Sequence, residues 1–105
     1  GWLERALEIG EVLLSRLGEL KAQYPVIGEI RGKGAMIAIE LVEPGTKTPN
    51  AAAVEALVKH CHQNGVLVLN AGTYANVIRF LPPLVISDEQ LNDALDVLEA
   101  GLANL

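Results

Sequence analysis

The sequence predicts an α+β domain: a small, mainly antiparallel sheet of three to four strands with helices packed on one side. Three observations predict it. Apolar residues recur at three- and four-residue steps near both ends of the chain and again in its middle, which is the helical period. Between those stretches lie short runs of Val, Ile and Leu bounded by Gly, Pro and Asn, which is the strand pattern. The order along the chain is helix, short strand, strand, helix, strand, strand, helix, with no internal repeat or low-complexity segment. At 105 residues the natural reading is one domain, 1–105.

Residues Trp2 to about Ala22 read as the first helix. Leu3, Ala6, Leu7, Gly10, Leu13, Leu14, Leu17 and Leu20 form one broad apolar stripe, and Glu4, Glu8, Glu11 and Glu19 lie largely off it. Trp2, the largest apolar side chain, is either an anchor for another part of the protein or a local packing residue. Pro25 closes this region. Val26–Arg31 is a short extended segment, and Gly32-Lys33-Gly34 is a tight turn. It is not a phosphate loop, because Ala35 follows and no helix begins there. Ala35–Val42 is a strand so apolar that both faces are expected to be covered in a complete protein. Its exception, Glu40, reads as a solvated edge carboxylate.

Residues 43–49 are a surface loop, and Ala51–Asn64 is the second helix, with Gly65 just past its end. Val66–Leu69 reads as a short buried strand. Val77-Ile78-Arg79-Phe80-Leu81, entered from Asn76, is the next, stopped by Pro82 and Pro83. Alternation places Val77, Arg79 and Leu81 on one face, and Ile78 and Phe80 on the other. The two strands are expected to pair as a hairpin across Asn70–Asn76, and Ala35–Val42 to pair with the Arg79 strand. Ser87 opens the last helix, because Ser87-Asp88-Glu89-Gln90 fits the capping box. Leu91, Ala94, Leu95, Leu98 and Leu102 continue its apolar stripe.

Composition narrows the function. Half the residues are hydrophobic, and the mean hydropathy is +0.31, which supports a real core and some apolar surface meant for a partner. With 8 basic and 13 acidic residues the net charge is -5, so no basic stripe exists to meet a nucleic acid or an anionic membrane surface. No apolar run approaches the roughly 20 residues of a membrane span. The single cysteine, Cys61, allows no internal disulfide and is compatible with a cytoplasmic location. The chain opens on Gly1 rather than Met and goes straight into a helical pattern, which reads as a piece of something longer.

Catalytic candidates are few. His60-Cys61-His62 invites a metal, but successive helical residues turn by about 100°, so the two histidines point apart and no metal site is expected. Lys21, Lys33, Lys47 and Lys59 sit at polar places, where a lysine keeps its charge and is a poor nucleophile. Arg79 is the residue whose setting asks for a function. Its position leaves two readings open: an arginine snorkelling or paired with a surface acid, or a fork of donors set to bind a carboxylate.

Ile30-Arg31-Gly32-Lys33-Gly34-Ala35-Met36-Ile37-Ala38-Ile39-Glu40-Leu41 resembles a segment of class III aminotransferases. Gly65-Val66-Leu67 followed by Asn76-Val77-Ile78-Arg79-Phe80-Leu81-Pro82-Pro83-Leu84, and Ser87-Asp88-Glu89-Gln90-Leu91, are similar to two further segments of that family, in the same order. The run Leu69–Arg79 is most similar to 4-aminobutyrate aminotransferases. The resemblance implies the C-terminal part of the small domain of a pyridoxal-phosphate enzyme of fold type I. It implies transfer of an amino group from 4-aminobutyrate to 2-oxoglutarate, and a substrate-binding role for Arg79 toward an α-carboxylate. In the family an acid from the large domain commonly masks that arginine when the ω-amino substrate is bound. The Schiff-base lysine and the phosphate-binding residues of the family match nothing here. The resemblance therefore implies no catalytic residue and no bound cofactor in this chain, and inactivity in isolation. It also implies partners: amino acid and 2-oxo acid substrates, the chain's own large domain, and a homodimer or tetramer. The alternative is a free-standing α+β module that binds a small metabolite or dimerises.

Overall fold

The computed structural model describes residues 1–66, 68–72 and 76–105, with only the backbone described at 69 and 70. Helix α1 spans Trp2–Gln23. It ends where the Tyr24 N–H closes on the Leu20 carbonyl at 2.7 Å and Pro25 follows. Its buried residues are Ile9, Gly10, Leu13, Leu17 and Leu20. The broad stripe expected from the sequence proves to be two stripes side by side. Leu3, Leu7 and Leu14 lie outside the core at 75%, 52% and 45% exposure, whereas Ile9 is fully buried. Trp2 is 63% exposed, so it does not pack locally.

Strands β1 (Ile27–Lys33) and β2 (Met36–Leu41) form an antiparallel hairpin. Lys33 pairs with Met36, so the turn is Gly34-Ala35, later than the expected Gly32-Lys33-Gly34. Gly32 stays in the strand, where a Cβ would lie 2.7 Å from the Ile37 Cα of β2. Gly34 takes the left-handed conformation at φ 58°, which glycine adopts without steric cost. Its carbonyl lies so close to α1 that only glycine fits at position 10.

Helix α2 (Ala51–Gln63) starts from Asn50, whose side chain accepts the Ala53 N–H at 3.0 Å. Ala53, Val54, Leu57 and Cys61 are its buried face. Strand β3 is Leu69–Ala71, not Val66–Leu69. The Val66 N–H bonds the Cys61 carbonyl at 2.8 Å, and His62 Nε2 bonds the Val68 carbonyl at 3.0 Å. Those bonds tie the segment to the end of α2 rather than to a ladder. Leu67, part of the expected strand, and Thr73, Tyr74 and Ala75, part of the expected loop, lie outside the described residues. Strand β4 is Val77–Phe80, one residue shorter than expected before Pro82.

The sheet order is β1-β2-β4-β3, antiparallel throughout. The expected pairing of the Arg79 strand with β2 is present, but its hairpin partner is Leu69–Ala71 rather than Val66–Leu69, with only Leu69 in common. Helix α3 (Asp88–Ala103) begins with the expected capping box: Ser87 Oγ accepts the Gln90 N–H, and Gln90 Oε1 accepts the Ser87 N–H, both at 3.0 Å. Helices α1 and α2 lie on the sheet, and α3 packs against both. At the α2–α3 crossing, a Cβ on Gly101 would lie 2.6 Å from Leu57 Cδ1. Arg16 links α1 to α3 through Asn92 and Asp96, each at 2.8 Å. Arg5 does so through Asp88 at 2.9 Å and the Ile86 carbonyl.

One face of the sheet therefore meets the helices. Ile37, Ile39, Leu41, Ile78 and Phe80 point there and are buried. The other face carries Met36, Ala38, Glu40 and Arg79, and no helix among the described residues covers it. The fold is the expected α+β class, with helices on one side.

Candidate functional site

Strand alternation decides where Arg79 points. Its neighbours Ile78 and Phe80 turn into the core, so Arg79 stands on the open face and is exposed. It is mounted in the sheet interior, opposite Ala38 of β2 on one side and Leu69 of β3 on the other. Ala38 projects only a methyl group, which leaves room across β2. Among the described residues no carboxylate lies within ion-pairing distance of Arg79. A planar guanidinium fork with no acid partner among the described residues suits bidentate binding of a carboxylate.

The second feature of this face is a polar cluster at Glu40. Glu40 is no solvated edge acid: β2 is an interior strand, and the side chain is 29% exposed. Arg31 Nη1 donates to Glu40 Oε2 at 2.7 Å, and Asn76 Nδ2 donates to Oε1 at 3.3 Å. The Arg31 hydrogen bond, aided by Asn76 and opposed by burial, holds the Glu40 carboxyl below the usual carboxylate range. Glu29 also approaches Arg31, at 3.6 Å.

Asn76 is the residue that sequence reasoning missed. It is 4% exposed, a buried polar residue at the entry to β4. Its carbonyl accepts the Leu41 N–H at 2.8 Å while its amide holds Glu40. It thus fastens β4 to β2 three residues before Arg79. An asparagine opening a β-branched run was the available signal, and it is weak because asparagine there is also an ordinary loop residue.

The remaining candidates disperse. His60 Nε2 donates to the Val97 carbonyl at 2.9 Å, so it braces α2 on α3, while His62 holds the Val68 carbonyl. Among the described residues no His, Cys, Asp and Glu cluster has the makings of a metal site. Cys61 is buried, and burial pushes its thiol up to about 11. Lys21, Lys33, Lys47 and Lys59 are all exposed. A cleft of about 660 Å³ opens between α3 and the Leu81–Pro83 segment. Phe80, Leu91 and Leu95 line it, and Arg79 is not among its lining residues. No helix among the described residues is long and apolar enough to cross a membrane.

The profile of the family "Aminotransferase class-III" matches residues 1–102. A probable 4-aminobutyrate aminotransferase of Bacillus subtilis is 48% identical over 103 residues, which are 97% of this chain and 24% of that protein. A 5-aminovalerate aminotransferase of Pseudomonas putida is 44% identical over 103 residues, 98% of this chain and 24% of that one. Among solved structures, a phospholyase from Arthrobacter, in complex with phosphoethanolamine, superposes with a TM-score of 0.93 at 30% identity, covering 99% of this chain and 25% of that one. An amine transaminase from an uncultivated Pseudomonas species, in a pyridoxal-phosphate-bound form, superposes with a TM-score of 0.80 at 34% identity, covering 95% and 23%. The chain thus spans about a quarter of the length of the relatives it matches.

Proposed function

This chain belongs to the class III aminotransferases, and from that premise we propose that it is the C-terminal, substrate-carboxylate-binding domain of an ω-amino acid:2-oxoglutarate aminotransferase. The amino donor is 4-aminobutyrate or its one-carbon-longer homologue 5-aminovalerate; the similarity to enzymes of both names supports that pair. The acceptor, 2-oxoglutarate, becomes glutamate. Arg79 binds the α-carboxylate of the acceptor and of glutamate. The observation that carries this reading is a guanidinium with no acid partner among the described residues, on the open sheet face and mounted between two hydrogen-bonded strands.

In the complete enzyme pyridoxal phosphate supplies the electron sink for amino transfer. The described residues of this chain do not fit that cofactor. All four lysines are exposed, and Lys59 borders only a shallow recess on the outside of α2. On this reading the cofactor is held by a large domain of the same polypeptide, the isolated chain is inactive, and the complete enzyme is a cytoplasmic homodimer or tetramer. The contribution of this chain is to orient: Arg79 fixes one end of the acceptor so that its oxo carbon is presented to the large domain.

Arg79→Ala and Arg79→Lys in the complete polypeptide test the role. A charge-assisted bidentate contact left unmade costs about 2–3 kcal/mol, or roughly 30- to 160-fold in kcat/KM for 2-oxoglutarate. The ω-amino donor, which places no carboxylate at Arg79, keeps its kcat/KM. Lysine restores the charge without the fork and recovers only part of the loss. An unchanged KM for 2-oxoglutarate in Arg79→Ala removes the clamp.

A further inference from the structure

Arg31, Ala38 and Arg79 form one row across three strands of the open face, because Arg31 pairs with Ala38 and Ala38 with Arg79. Glu40 stands two residues along β2 from Ala38, opposite Val77 of β4 and Glu29 of β1. It is therefore a diagonal neighbour of an arginine on each side. Diagonal neighbours in an antiparallel pair are roughly 7–8 Å apart at Cα, within reach of long side chains. Glu40 can serve either arginine, and the structure gives it to Arg31 alone. One carboxylate oxygen takes the Arg31 donor and the other takes the Asn76 amide. Both acceptors are thus engaged away from Arg79. The other charged residues of this face, Glu29 and Lys33, lie on β1 with Arg31, and Glu29 adds a second acid beside Arg31.

We propose that Arg31 is a specificity-determining positioning residue: by holding Glu40 against Asn76 it keeps Arg79 open to the carboxylate of the incoming acceptor. Without Arg31, Glu40 swings across β2, pairs with Arg79 and competes with the substrate. The masking acid is then supplied by this chain itself, from the neighbouring strand. The inference rests on the reading of Arg79 as the carboxylate clamp. It goes beyond that reading by naming what keeps the clamp free.

The test uses the complete enzyme with 2-oxoglutarate as the probe. In Arg31→Met the KM for 2-oxoglutarate rises roughly fivefold, the competition expected from an exposed ion pair. The kcat and the KM for the ω-amino donor stay within about twofold, since neither depends on a free Arg79. Arg31→Lys, which retains a cation for Glu40, stays near wild type. The double variant Arg31→Met/Glu40→Gln also returns to wild-type KM, which a folding defect would not do. A crystal structure of Arg31→Met shows the Glu40 carboxylate within about 4 Å of the Arg79 guanidinium. An unchanged KM in Arg31→Met overturns the proposal, as does a Glu40 that stays on Asn76 in that structure or a double variant no better than the single. If instead Arg79→Ala leaves the 2-oxoglutarate KM unchanged, it is the underlying clamp reading that fails.

Discussion

Replacing Asn76 by aspartate reverses the sign of one contact and leaves its shape almost unaltered. In the native chain the Asn76 amide donates to Glu40 Oε1 at 3.3 Å, in a site where Asn76 is 4% exposed. In Asn76→Asp a carboxylate oxygen faces a carboxylate oxygen at the same separation. Two unit charges 3.3 Å apart repel by about 5 kcal/mol at an effective dielectric constant of about 20. The pair limits that cost by sharing a proton, as close carboxylates do, so the expected loss at pH 7 is about 3–4 kcal/mol. Asn76→Ala removes the donor without adding a charge and costs about 1.5–3 kcal/mol.

The pH dependence separates the two substitutions. In the native chain Glu40 is held below its unfolded value, about 4.3, so its contribution is complete above that pH and is lost only as pH falls through the lower folded value. Between pH 7 and 5 it contributes no change. In Asn76→Asp the shared proton raises the carboxylate pair above its unfolded value. Stability is then regained as pH falls from 7 to 5, opposite in sign to ordinary acid destabilisation. Urea unfolding at both pH values measures this. If Asn76→Asp is no worse than Asn76→Ala at pH 7 and recovers nothing at pH 5, Asn76 and Glu40 are not in contact and the amide does not fasten β4 to β2.

Three further outcomes are expected. Ser87→Ala removes the acceptor of the Gln90 N–H and costs about 1 kcal/mol in thermal or urea unfolding, whereas Ser87→Asp retains it and costs little. Cys61, with its thiol pushed up to about 11, has at pH 8 a thiolate fraction roughly two hundredfold below that of a free thiol. Iodoacetamide therefore labels it rapidly in urea and very slowly in buffer, and fast labelling in buffer would show that α2 is not packed as described. The isolated chain mixed with pyridoxal phosphate and borohydride gives no stoichiometric adduct at a single lysine; obtaining one would place a cofactor site in this chain.

Features decided by near neighbours are legible in the sequence alone. The capping box at Ser87 needs only Gln90 three residues on, and it forms as expected. The alternation through Val77–Phe80 correctly sets Arg79 opposite in direction to Ile78 and Phe80. What the sequence leaves open is decided by distant parts of the chain. Val66 and Val68 have the composition of a buried strand, yet their backbone partners are Cys61 and His62, at the end of α2. An apolar run does not reveal which donors its carbonyls will meet. Glu40 reads as an edge residue because it stands near a strand's end, but β4 inserts beside β2, and that adjacency joins positions 36 residues apart. Leu3, Leu7 and Leu14 share the helical period with Leu13, Leu17 and Leu20, and only the packing of α3 and the sheet selects which stripe is inside.

The place of β4 between two other strands governs how Arg79 can move. Its Cα is held by ladders on both sides, so backbone excursions there require breaking two pairings at once. The side chain beyond Cβ has no such restraint. Arg79 therefore behaves as a swinging arm on a fixed post. Nearly all the disorder it loses on meeting a ligand is rotamer entropy, about 2 kcal/mol, and almost none is backbone entropy. Its successive staggered torsions let the guanidinium reach a range of distances and directions from that post. Under the proposed clamp role, acceptors whose carboxylates arrive at different points within that reach are met by the same anchor.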